Sequence, residues 1–133
     1  MSKELVAVYG TLKQGYGNHR LLVEQEFIGC GTTVESYSMK CFGVPMVFDT
    51  DDNRVGPIAV EVYSVTKDQL TGPLDRLEGH PTFYCRKKIN IRIGNETHKC
   101  WLYFGATYRD YGNDIQPDQD GIIYWIGRNK VAA

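Results

Sequence analysis

Three short stretches of the chain hold side chains and backbone that can carry chemistry. The first surrounds Glu78. Leu70, Leu74 and Leu77 follow the i, i+4, i+7 spacing of a core-facing helical stripe. Glu78 takes the next place on that stripe, where leucine is expected, in the last turn before Gly79 and at the negative end of the helix dipole. Both features disfavour an ionised carboxyl and predict a raised pKa. A carboxyl raised towards neutrality suits a general acid or base. The same pattern also fits an exposed glutamate, or one paired with Arg76, Arg86 or Lys87, because structural ion pairs perturb pKa values too. Asp75 and Arg76 fall on other helix faces and read as solvated.

The second stretch is Tyr9-Gly10-Thr11-Leu12-Lys13-Gln14-Gly15. A strand ending in glycine lets backbone N–H groups converge on an anion or a developing oxyanion. It is not a phosphate loop: Tyr16 and Gly17 stand where Lys and Ser or Thr should follow Gly15. Nor is it a dinucleotide fingerprint, since Arg20 replaces the third glycine. Taken alone, it also fits an ordinary strand-to-helix turn. The third stretch is Phe83-Tyr84-Cys85-Arg86-Lys87. Strand alternation puts Tyr84 and Arg86 on one face, where they can bind a small carboxylate or simply form a sheet-surface pair.

The remaining reactive side chains argue for less. Cys30, Cys41, Cys85 and Cys100 form no C-x-x-C pair, and His19, His80 and His98 lack zinc-ligand spacing beside them. The expectation is four reduced, mostly buried thiols, with a Cys85–His80 nucleophile pair as the minor reading. The 49–53 stretch resembles the opening of a calcium loop but lacks its glycine and distal glutamate, so it reads as a solvated turn.

These residues need a frame. Residues 5–9 read as a central strand buried on both faces. Asn18 reads as the cap of a short helix over Leu21, Leu22 and Val23. Strands are expected at 27–34, 58–65, 83–93 and 99–107, the last two joined by a hairpin turn at Gly94-Asn95-Glu96. Residues 39–48 read as irregular or an edge strand because of Pro45. Glu61 is expected to face solvent or a polar interior. Thr66 caps a helical turn, Gly72-Pro73 restarts it, and Gly79 ends it. The sum is an α+β domain whose mixed sheet curls towards a barrel flanked by short helices.

Composition limits the function. The 133 residues carry 15 Lys plus Arg against 16 Asp plus Glu, a net charge of −1, which argues against a nucleic-acid partner. The longest apolar runs span about five residues, far short of the roughly 20 that cross a bilayer. With 42% hydrophobic and 23% charged residues, the chain reads as one ordinary cytoplasmic domain, residues 1–133.

Val8-Tyr9-Gly10-Thr11-Leu12-Lys13 resembles the Tyr-Gly-Ser/Thr-Leu loop of gamma-glutamylcyclotransferase-like proteins, and the stretch to Asn18-His19 looks most like their gamma-glutamylamine branch. Gly43-Val44-Pro45 and Val55-Gly56 follow in family order. Leu74-Asp75-x-Leu77-Glu78-Gly79-x-Pro81-x-x-Tyr84-x-Arg86 is similar to the second signature. The resemblance covers roughly residues 5–107 and leaves 110–133 unmatched. It implies the family's small mixed barrel, a γ-glutamyl group held by Tyr9, Gly10, Thr11 and Leu12, and Glu78 as catalytic acid/base. The implied reaction is attack of a substrate's α-amine on its own γ-carbonyl, releasing 5-oxoproline and an amine or amino acid. It calls for no metal or organic cofactor. The rival is a non-catalytic module holding a small carboxylate or anionic metabolite in the same pocket, which should prefer a basic lining. A purely structural partner protein is the third reading.

Overall fold

The computed structural model describes residues 3–41, 43–49, 54–106 and 112–127. Strand β1 (Lys3–Val8) pairs antiparallel with β5 (Ala59–Thr66) and parallel with β7 (Glu96–Gly105), where Val6 sits opposite Trp101. β5 also pairs with β2 (Glu26–Thr33), β2 with β6 (Tyr84–Ile93), and β6 with β7 along its whole length. The order β1-β5-β2-β6-β7-β1 closes a five-stranded mixed barrel. Outside it, β4 (Pro45–Phe48) pairs with β7, β3 (Ser38–Cys41) with β4, and β8 (Asn113–Asp114) with β3.

Alternation along β1 explains its double burial. Ala7 packs into a cluster with Val60, Val62, Ile91 and Leu102. Val6 and Val8 turn the other way, against Leu22, Leu70 and Leu74. The last two come from the helical segment after β5, which comprises α1 (Lys67–Gln69), a wide π turn (Leu70–Leu74) and α2 (Asp75–Glu78). Thr66 caps it by accepting the Gln69 amide at 3.1 Å. Gly79 ends it with φ of 66°, a left-handed conformation that glycine adopts without strain.

Several expectations need correcting. The 39–48 stretch is not irregular: Ser38–Cys41 and Pro45–Phe48 pair as antiparallel strands, Ser38 opposite Phe48, with Pro45 at a strand's first position, where its missing N–H is tolerated. Gly72-Pro73 does not restart the helix, because the π turn widens the coil around Pro73. Asn18 is not a cap. It lies inside a 3₁₀ turn (Gly17–Leu21), and its side chain donates to Thr11 Oγ1 instead. Leu77 leaves the core stripe and is 37% exposed. The four cysteines are unpaired, yet Cys100 alone is buried and Cys30 is exposed. Of the two surroundings expected for Glu61, the structure gives the polar interior: it is half-buried and accepts from the Tyr63 hydroxyl. Of the 49–53 turn only Asp49 falls within the described residues. No helix among them is long and apolar enough to cross a membrane.

Candidate active site

The turn after β1 is closed by the Lys13 amide donating to Gly10 O at 3.0 Å. It is then tied down on several sides. Asn18 Nδ2 donates to Thr11 Oγ1 at 2.8 Å, and His19 Nδ1 lies 2.9 Å from Leu12 O. The Gln14 amide donates to Glu61 Oε1 at 2.9 Å, an oxygen that also accepts from the Tyr63 hydroxyl. Leu12 is buried among the outer apolar cluster. What this anchoring leaves over is the useful part. The N–H groups of Gly10, Thr11 and Leu12 have no acceptor among the described residues. Gly10 is required by close packing: a Cβ there would stand 2.8 Å from Pro45 Cγ.

These residues line a cavity of about 250 Å³ that Glu78 also lines, although 66 residues separate it from Leu12. Pro45, Tyr84 and Tyr103 supply further wall, while Val44, Leu77 and Phe83 are partly exposed apolar residues on it. No Lys, Arg or His is among the described lining residues. The Glu78 carboxylate accepts no hydrogen bond and pairs with no cation among the described residues. Burial therefore acts unopposed and pushes its pKa up to about 7 from 4.5.

Two of the expected binding side chains reach the cavity with their polar ends committed elsewhere. Tyr9 Oη donates to Tyr103 O at 2.7 Å and accepts from the Val47 amide. Tyr84 Oη donates to Pro45 O at 2.8 Å. Burial raises the pKa of both phenols, so they remain protonated and act as wall ties. Arg86 is not on the cavity lining at all. Its Nε and Nη2 donate to the two oxygens of Asp75 at 2.8 and 3.1 Å, and its guanidinium lies 4.3 Å from the Trp101 ring centroid.

Asp75 thus corrects the expectation of a solvated side chain. It is buried and also accepts from Tyr103 Oη at 2.6 Å. Burial alone would raise its pKa, but the hydrogen bonds from Arg86 and Tyr103 hold it below the ordinary 3.8. His80 Nδ1 accepts the Arg86 amide, so that nitrogen is occupied rather than poised as a base for Cys85. Asn18, Tyr103, Leu77 and Phe83 were missed as cavity residues. Asn18 carried a signal, since an Asx residue just beyond a glycine turn often bonds back to it.

Comparison with known proteins places the chain in a family. A family described as gamma-glutamyl cyclotransferase, AIG2-like, matches residues 6–125. A Methanocaldococcus jannaschii protein provisionally named a gamma-glutamylcyclotransferase is 41% identical over 121 residues, covering 81% of this chain and 98% of its own. The gamma-glutamylaminecyclotransferase of Rattus norvegicus is 31% identical over 119 residues, covering 77% of this chain and 78% of its own. Among solved structures, an AIG2-like protein of Mus musculus superposes with a TM-score of 0.75 at 25% identity, over 98% of this chain and 100% of that one. A Pyrococcus horikoshii protein shares the fold at TM-score 0.62 and 24% identity, over 85% and 86%. The chain belongs to the gamma-glutamyl cyclotransferase, AIG2-like family, and so to a family of enzymes.

Proposed function

We propose that the cavity binds a γ-glutamyl compound and cyclises it, releasing 5-oxoproline and the amine or amino acid formerly in amide linkage. One observation carries this reading. An unpaired carboxyl with a pKa near 7 shares a cavity with three unpaired backbone N–H groups, and no described lining residue is a cation. A module built only to hold an anion would use a basic lining, whereas this pocket has an acceptor for a substrate ammonium.

Each part has a role. The substrate α-amine is largely protonated at neutral pH and cannot attack in that form. Glu78 accepts its proton, the amine nitrogen attacks the γ-carbonyl, and the oxygen develops negative charge. The loop N–H groups stabilise that charge; losing one such donor typically costs about 100- to 1,000-fold. Glu78 then returns that proton to the departing nitrogen as the γ C–N bond breaks, and the second proton shed by the attacking nitrogen ends on the released amine, so no net proton is lost. Tethering of nucleophile and carbonyl within one molecule supplies much of the remaining advantage. Val44, Leu77 and Phe83 give the departing group an apolar path out of the cavity.

The test is release of 5-oxoproline from a panel of γ-glutamyl alkylamides, γ-glutamyl amino acids and γ-glutamyl-ε-lysine. Release from at least one class is expected. Saturable binding of the panel without any release would favour the binding-module reading and overturn this one.

A further inference from the structure

Lys13 is 1% exposed, and lysine is among the residue types least often buried. Its ammonium donates to Trp125 O at 2.7 Å, across 112 residues of sequence. The Tyr124 ring centroid lies 4.0 Å from the same nitrogen, with the Tyr16 and Trp125 rings at 5.6 and 5.8 Å. A carbonyl and three aromatic faces therefore offset part of the cost of burying this charge.

The partner segment is itself fixed to the frame. Ile123 accepts from the Ala59 amide and donates to Pro57 O, at 2.9 and 2.8 Å. Trp125 Nε1 donates to Cys41 Sγ, and its ring lies 5.0 Å from the Tyr16 ring. The Gly127 amide donates to Tyr16 Oη. On the other side, the Lys13 backbone closes the very turn that carries the Gly10, Thr11 and Leu12 N–H groups.

We infer that the segment 122–127 is a clamp on the loop after β1, and that Lys13 is the positioning residue through which it acts. The catalytic half of this inference rests on the proposed oxyanion role of the loop. The clamp itself does not. Lys13→Met keeps the length and apolar stem while removing the donor and the charge. Lys13→Arg keeps both charge and donors. Tyr124→Leu removes the nearest ring at a site that is 47% exposed, so the variant should fold whatever happens to Lys13→Met.

Two readouts are taken on all three variants: kcat and KM for 5-oxoproline release, and hydrogen exchange of the Lys13, Tyr16 and Asn18 amides, with the Val62 amide of β5 as a control. For Lys13→Met, kcat should fall roughly 10-fold or more, a partial loss of oxyanion stabilisation, while KM stays within about threefold. The loop amides should exchange about 10-fold faster with Val62 unchanged, as expected of a local opening. Lys13→Arg should recover part of both losses, and Tyr124→Leu should show a smaller version of each. Unchanged loop exchange in a folded Lys13→Met or Tyr124→Leu protein would overturn the clamp, even if kcat fell. Faster exchange with full kcat would overturn the catalytic half. A wild type that releases no 5-oxoproline would sink the proposed function, while exchange still decides the clamp.

Discussion

Asp75 and Glu78 stand three residues apart at the two ends of α2, share one functional group, and meet opposite fates. Asp75 takes three hydrogen bonds, two from Arg86 and one from Tyr103, and stays ionised. Glu78 takes none from the described residues, and burial leaves it half-protonated near neutrality. Burial acts to raise the pKa of both, so burial alone does not separate them. The allocation of donors does. One carboxylate holds the helix end to β6 and β7; the other is left without a donor among the described residues.

The most severe way to break this contrast is Glu78→Gln, which keeps the shape and removes the proton acceptor. Turnover should fall by about 100- to 10,000-fold. Stability should move the other way. Between pH 4.5 and about 7 the folded chain holds a proton on Glu78 that the unfolded chain has released, so stability falls as pH rises across that window. Above pH 7 the ionised Glu78 is a net cost, and Glu78→Gln should melt higher than wild type at pH 8 but not at pH 4. In the wild type, kcat/KM should rise with pH through about 7. A flat profile there, with unaltered release by the mutant, would remove Glu78 from the mechanism.

Asp75→Ala attacks the other member. It strands the Arg86 guanidinium, only 13% exposed, and should cost about 3 kcal/mol in denaturant melts. The wild-type contribution is present above the unfolded carboxyl's 3.8 and is lost as pH falls through the lower folded value. The mutant and wild-type melting curves should therefore converge in strong acid. Equal stabilities at pH 7 would mean that the pair holds nothing.

Gly10→Ala shifts the test to the donors that Glu78 faces across the cavity. The new Cβ meets the Pro45 ring, an overpacking worth about 1 to 3 kcal/mol, and kcat should drop roughly 10-fold as the loop amides move. The smallest effect sharpens the comparison within the helix. Leu74→Ala, at a fully buried position, should cost about 2 to 5 kcal/mol, whereas Leu77→Ala should change stability by less than about 0.5 kcal/mol and alter only KM. Similar losses from both would return Leu77 to the core.

What the sequence disclosed follows the range of the interactions. The β6–β7 hairpin was legible because alternation and the Gly94-Asn95 turn are local signals, and the observed register runs from Tyr84 opposite Gly105 to Ile93 opposite Glu96. Glu78 stood out as a carboxyl in an apolar pattern and does line the cavity, although the pattern was misread, since Leu77 lies off the core face. Asp75 was not, since its partners Arg86 and Tyr103 lie 11 and 28 residues away on strands whose facing depends on how the helix docks. The same docking decides that Leu77 opens onto the cavity. The Lys13–Trp125 contact left no trace in either local stretch. Arg86 was misjudged for a simpler reason: alternation gives a side chain's face but not who has already claimed it.

The parallel pairing of Val6 with Trp101 closes the barrel, and it has a consequence for synthesis on the ribosome. The loop after β1 emerges early, but the strand that completes its support is made some 90 residues later. Until then β1 can pair only with β5 and exposes its second edge, a surface prone to intermolecular pairing. A nascent chain halted at residue 95 should therefore bind chaperone or aggregate, with β1 amides exchanging freely, whereas one extended through residue 105 and clear of the exit tunnel should protect them.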